Sequence, residues 1–236
     1  MSAALVINAI QNKANATQAK HAQRFFKTSK GEYGYGDVFL GVPVPHLRKI
    51  ATEYKNLSLP QIEKLVASKF HEVRFCGLVI LTMKFKSASN ALGHKKLFDF
   101  YMKQLKAERV NNWDLIDVTA PTIGQYLIGS RASNQLLLSL AKSSSLWQRR
   151  AAIVFTFAFI REGIPQPTLV VAKQLLHDEE DLIHKATGWM LREMGKGNPI
   201  ELRKFLEENV SVMPRTMLRY SIEKFSATER KKWLAR

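Results

Sequence analysis

Cysteine is almost absent: Cys76 stands alone among 236 residues. No intrachain disulfide can form, so a reducing compartment is the expected setting. Acidic residues are scarce as well, with 20 Asp and Glu against 36 Lys and Arg. Long apolar runs are missing, since nothing approaches the roughly 18 to 20 residues that a membrane span requires. The opening MSAALVINAIQNK has no positive leader, and Asn8 and Gln11 break its apolar stretch, which argues against a secretion signal. A cytoplasmic chain with no membrane partner is therefore expected. The histidines His21, His46, His71, His94, His177 and His184 are scattered, and neither a His-Glu-x-x-His pair nor a phosphate-binding loop occurs. No metal and no other cofactor is expected. Alternating strand patterns joined by hairpin turns are also lacking, which sets aside an all-β fold.

Helical periodicity fills the space these absences leave. DLIHKATGWMLREMG places Leu182, Ile183, Ala186, Trp189, Met190 and Met194 on one side, the spacing of an amphipathic helix. EVRFCGLVILTMKF and WQRRAAIVFTFAFI are apolar nearly all round and predict helices buried on most faces. Pro43, Pro45, Pro60, Pro165, Pro167, Pro199 and Pro214 fall between the periodic segments, where helices start. Pro121 is the exception, inside WDLIDVTAPTIGQYLI, where it should kink the helix or sit in its first turns. Gly31 to Pro45 forms the longest irregular stretch, and its glycines lack the strand and helix of a dinucleotide site. A structured connection is predicted there.

A weak internal repeat is also present. Arg74, Trp113, Arg150 and Lys185 each lead a similar apolar segment, at the period of two-helix HEAT-like repeats. One pair cannot bury its own apolar side, so the pairs should stack. The expected fold is all-α: one helical-repeat domain over residues 1–236, a curved solenoid with a basic concave surface lined by the second helices, along which their leading residues, mostly basic, should sit. With a formal charge of +16, the expected partner is a polyanion, nucleic acid first of all. Nothing in the pattern calls for an obligate protein partner, and a monomer is expected.

Three local features are candidates for chemistry. In Asn112-Trp113-Asp114-Leu115-Ile116-Asp117, Asn111 or Asn112 is a natural N-cap. Trp113 and Asp117 are four apart and share a helix face. A carboxylate near the helix N-terminus stays ionised; the bland alternative is a core tryptophan beside an acid that merely stabilises the helix. Lys185, Trp189, Arg192 and Lys196 form one stripe that can grip phosphates and press a flat ring on sugar or base, unless Trp189 points into the core. Arg149 and Arg150 open a helix against its dipole, which is unfavourable unless they meet an anion; the alternative is a solvated helix start. Arg215, Arg219 and the tail residues Arg230, Lys231, Lys232 and Arg236 add positive charge. Asp178-Glu179-Glu180-Asp181 is expected to cap the next helix.

These segments resemble the DNA alkylation repair glycosylases of the AlkD family. FLGVPVPHLRKIA (Phe39 to Ala51) resembles its early conserved stretch, NWDLIDVTAPTIGQYL its tryptophan–aspartate motif, WQRRAAI the segment carrying its arginine, and KATGWMLRE its second tryptophan. The resemblance implies Asp117 as catalytic carboxylate, Trp113 and Trp189 as aromatic clamps on the lesion nucleotide, Arg150 as a phosphate-facing arginine and Arg192 as its helper. Arg149, Lys185, Lys196, Arg215 and Arg219 are further candidate DNA contacts. Asn112 departs from the Trp-Trp-Asp pattern of several relatives; if that position touches DNA, lesion affinity differs here. The implied activity is hydrolysis of the N-glycosidic bond of cationic purines such as 7-methylguanine and 3-methyladenine in double-stranded DNA, without an acid to protonate the leaving base and with little or no base capture. Two rivals are a non-catalytic helical-repeat protein that recognises unusual DNA structure and a protein-interaction scaffold.

Overall fold

The computed structural model describes residues 1–236, and every regular element in it is helical. The first helices are α1 (Ala3–Gln11), α2 (Ala16–Phe25), α3 (Val44–Glu53), α4 (Leu59–Val66), α5 (His71–Ser87) and α6 (Ala91–Lys106). They are followed by α7 (Trp113–Ile123), a 3-10 turn at Gly124–Leu127, α8 (Ser133–Ala141), α9 (Leu146–Arg161) and α10 (Gln166–Gln174). The last four are α11 (Asp181–Gly197), α12 (Pro199–Asn209), α13 (Arg215–Ser221) and α14 (Ala227–Leu234). The chain divides into two compact units, Met1–Thr119 and Ala120–Arg236, with the division inside α7.

The starts and stops follow local chemistry. Asn15, Asn90, Ser145 and Ser226 accept hydrogen bonds from first-turn N–H groups of α2, α6, α9 and α14, satisfying donors the helix itself leaves orphaned. Prolines occupy the first turn of α3, α4, α10 and α12, where a missing N–H costs nothing. Pro121 lies near the end of α7. It cannot donate to the Asp117 carbonyl, and the α-helix runs only to Ile123 before tightening into the 3-10 turn.

The repeat becomes helix pairs. In the first unit α5 packs on α3, α4 and α6; in the second, α9 packs on α8, α10 and α11, and α11 on α12 and α13. The two uniformly apolar segments are central, as their composition predicts. In α5 every residue from His71 to Thr82 is buried, and α9 buries Arg150 to Thr156. Two of the residues expected to lie along a surface therefore do not. Arg74 and Arg150 are each only 5% exposed, because each sits one turn inside a helix that is covered on most sides. Gly188 marks a tight helix contact. A Cβ on Gly188 would fall 2.5 Å from the Met217 carbonyl oxygen and from Tyr220 Cβ, so α13 approaches α11 across a gap that admits only hydrogen.

Candidate functional site

The start of α7 is held by a buried polar cluster. His71, at the first position of α5, places Nδ1 3.0 Å from Asp37 and Nε2 2.8 Å from Asp114. Asp37 also takes Arg74 at 2.5 Å and the Asn112 side-chain amide at 3.0 Å. The other end of Asn112 accepts the Trp113 N–H at 2.9 Å, so the expected cap is Asn112, and it is fully buried. At this position the chain carries an internal strut, and Asn112 has no surface to offer DNA. Arg74 donates as well to the Ser68 and Lys69 carbonyls, tying the segment after α4 to α5. Glu72 accepts the N–H groups of Leu40, Gly41 and Val42, and His71 N–H donates to the Val38 carbonyl. These bonds give the Gly31–Pro45 stretch its order.

The charges in this cluster support one another. Burial opposes ionisation of His71, but the charge of Asp114 and hydrogen bonds to Asp114 and Asp37 outweigh it and raise the imidazole to about 9. Burial likewise pushes Asp37 up, yet the His71 hydrogen bond and the Arg74 charge hold it below the ordinary carboxylate value. His71 is thus an imidazolium shared by two carboxylates at neutral pH.

Aromatic rings cover this cluster. Phe39 stacks on His71 at 4.5 Å, Phe26 stacks on Phe39 at 4.9 Å, and Trp113 stacks on Phe26 at 5.2 Å. Phe25, 66% exposed, makes a T-shaped contact with Trp113 at 5.8 Å. Trp113 is half-buried, with one face committed to Phe26. Asp117 follows one helical turn later on the same side of α7, also half-buried. Its charge adds to burial in raising the Tyr101 hydroxyl, which lies 2.9 Å from the Thr119 hydroxyl.

In the second unit the predicted cations are largely engaged within the protein. Arg149 donates through Nε to Asp178 at 2.6 Å and also to the Ser143 and Ser144 carbonyls. The anion that two arginines at a helix start require is thus partly an internal one, and Asp178 serves α9 as well as the approach to α11. Arg150 donates to the Leu182 carbonyl at 2.7 Å. In the α11 stripe, Lys185 pairs with Asp181, Arg192 with Glu193 and Glu223, and Lys196 with Glu193. Trp189 is half-buried and meets the Phe157 ring at 5.9 Å, so it is neither a core residue nor an open plate. Arg215 is exposed and donates to the Leu234 carbonyl, and Arg219 is exposed.

A sequence profile described as DNA alkylation repair enzyme matches residues 6–225. The chain belongs to the DNA alkylation repair enzyme family. Among solved structures, a predicted DNA alkylation repair enzyme from Enterococcus faecalis superimposes with a TM-score of 0.71. It shares 17% identity, and the match covers 91% of this chain and 98% of that one. At that identity the likeness establishes a shared fold. No significant match links the sequence to a protein with a curated description.

For this family member, sequence reasoning selected Trp113 and Asp117 but missed Asp37, His71, Arg74 and Asp114. Asp37 precedes His71 by 34 residues and Asn112 by 75, beyond any helical spacing rule. The available signal was the charge pattern itself, since a His-Glu-x-Arg run inside an otherwise apolar helix demands buried partners.

Proposed function

We propose that this protein is a DNA glycosylase that hydrolyses the N-glycosidic bond of cationic alkylated purines, with Asp117 as the carboxylate at the reacting sugar. The observation that carries this reading is the half-buried Asp117 one turn beyond Trp113, at the braced N-terminal end of α7, in a chain of the DNA alkylation repair enzyme family. A 7- or 3-alkylated purine already bears the positive charge that makes it a leaving group. When the bond from C1′ to the base nitrogen breaks, its electron pair moves into the purine and neutralises it. Positive charge then appears on the sugar, and a fixed carboxylate lowers that barrier by electrostatic attraction. Water adds its oxygen to C1′ and loses a proton. One carboxylate suffices, unlike the paired acids of ordinary glycosidases.

In this reading the free face of Trp113 lies against the deoxyribose, where its π-electrons favour the developing cation. Trp189 is a second aromatic contact to the lesion nucleotide. The outer cations Arg149, Lys185, Arg192, Lys196, Arg215 and Arg219 are DNA contacts, whereas Arg150, 5% exposed and bonded to the Leu182 carbonyl, has no surface to offer a phosphate and braces the start of α11 from within. The excess of 36 basic over 20 acidic residues supplies attraction for the duplex. The deciding experiment is release of free 7-methylguanine from methylated duplex DNA by the wild type and by Asp117→Asn. The wild type is expected to release base and the variant to bind DNA with little release. A wild type that shifts methylated DNA in a gel without releasing base would instead favour the non-catalytic DNA-binding reading.

A further inference from the structure

We propose that α2 docks on the sugar–phosphate backbone of DNA beside the lesion, through unpaired cations that the first unit holds next to Trp113. The proposal rests on the reading of Trp113 as a contact to the lesion nucleotide. From Met1 to Gly31 the chain has five Lys or Arg and no Asp or Glu. Lys20 and Arg24 in α2, with Lys27 and Lys30 just beyond it, are exposed. No carboxylate of the protein pairs with Lys20, Arg24 or Lys30. The cations of α11 differ, each being held by Asp181, Glu193 or Glu223. A cation already paired with a carboxylate gains little on meeting a phosphate. An unpaired one gives up only water, while counterions are released from the DNA.

The helix is built to face an outside partner. None of its ten residues is buried, so it adds no side chain to the core, and a helix of that length is marginal in water by itself. Its backbone holds it in place. The Asn15 N–H donates to the Leu40 carbonyl at 2.8 Å. Gly41 runs so close beneath the first turn that a Cβ there would collide with the Asn15 carbonyl and the Ala19 N–H. Along the free face, Thr17, Lys20, His21 and Arg24 follow helical spacing. With Gln23 and the Thr28–Ser29 corner they line an open groove of about 540 Å³. Every one of these side chains can donate a hydrogen bond and none is acidic, which is the lining that phosphate oxygens require. The end of α2 fixes where this surface lies. Its last residue, Phe25, makes a T-shaped contact with Trp113, and Phe26 stacks on the same ring. Lys20 precedes Phe25 by about 7.5 Å of helical rise. A strand whose sugar meets Trp113 therefore brings its phosphates to Arg24 and Lys20 within about two nucleotides.

The test uses undamaged duplex DNA, so it needs no excision. Fluorescence anisotropy of a labelled duplex gives the affinity of the full-length protein over a range of salt concentrations. The double variant Lys20→Glu with Arg24→Glu should keep its circular dichroism spectrum, because neither side chain is buried. It should bind about tenfold more weakly or worse, and the slope of log affinity against log salt should shrink by about 2. Lys173→Glu with Lys204→Glu, in the groove between α10 and α12, makes the same change in net charge. That control should lose less than about threefold, the effect of unlocalised charge after screening. Unchanged affinity and slope in the folded α2 variant, an equal loss in the control, or a wild type that binds no duplex would each overturn the proposal. Loss of binding confined to the α2 variant supports it even where the wild type releases no 7-methylguanine, an outcome that counts against the glycosylase reading alone.

Discussion

If pH is raised from 6.5 to 8.5, the protein should lose stability steadily, and His71 should be the cause. Folding lifts this imidazole from 6.5 to about 9, and its side chain is only 4% exposed, so solvent screening takes away little. A shift of that size corresponds to about 3 kcal/mol of preference for the protonated form in the folded state. The sign follows from linkage. A raised folded value means the folded state holds its proton more tightly, so the full contribution is present below 6.5 and is lost as pH rises through 9. The Cys76 thiol, pushed up to about 12 by burial, weakens the fold only where an unfolded thiol ionises, near 9 and above. The window from 6.5 to 8.5 therefore isolates the histidine. Urea unfolding midpoints across that range should fall with a slope approaching 1.4 kcal/mol per pH unit. Asp114→Asn removes the strongest attraction acting on the imidazolium and should flatten the slope. A wild-type stability that stays level over this range, or a His71 ring resonance that titrates near its ordinary value, would refute the account of the cluster.

Other predictions follow from the same contacts. Asp117→Asn should lower base excision by about a hundredfold or more, the typical cost of losing a positioned transition-state charge, while gel-shift affinity is kept. Trp113→Ala should reduce both excision and lesion binding, and should make the Phe26 ring more accessible to solvent, as measured by broadening of its aromatic proton resonances by a dissolved paramagnetic agent. Arg149→Ala leaves Asp178, only 6% exposed, without its guanidinium; a loss of about 3 kcal/mol in unfolding free energy is expected. Gly188→Ala forces a methyl against the Met217 carbonyl and should cost about 1 to 3 kcal/mol, read as a drop in melting temperature without change in the salt dependence of DNA binding.

Much of the helical framework was legible in the order of residues. Apolar runs such as RFCGLVIL and RAAIVFTF predicted buried helices because a chain segment with no polar face has nowhere else to go. Prolines and Asn or Ser caps marked the boundaries for the same local reason. The Trp113–Asp117 pair was visible because one helical turn places both on one side. The polar partnerships were far less legible. Arg74 and Arg150 looked like surface cations by residue type, yet both are buried among carbonyls and, for Arg74, against Asp37. The α11 stripe looked uniformly basic along its own helix, whereas one of its partners, Glu223, lies outside that helix.

What the sequence determined alone was what local periodicity and composition can encode: an all-helical chain, where its helices begin, which segments are buried, and an excess of positive charge. Tertiary structure decided which charges cancel. Asp37, His71 and Asp114 come from three distant stretches, and only chain folding brings their atoms within 3.0 Å. Electrostatic energy depends on distance and on exclusion of water, and neither is written in spacing along the chain.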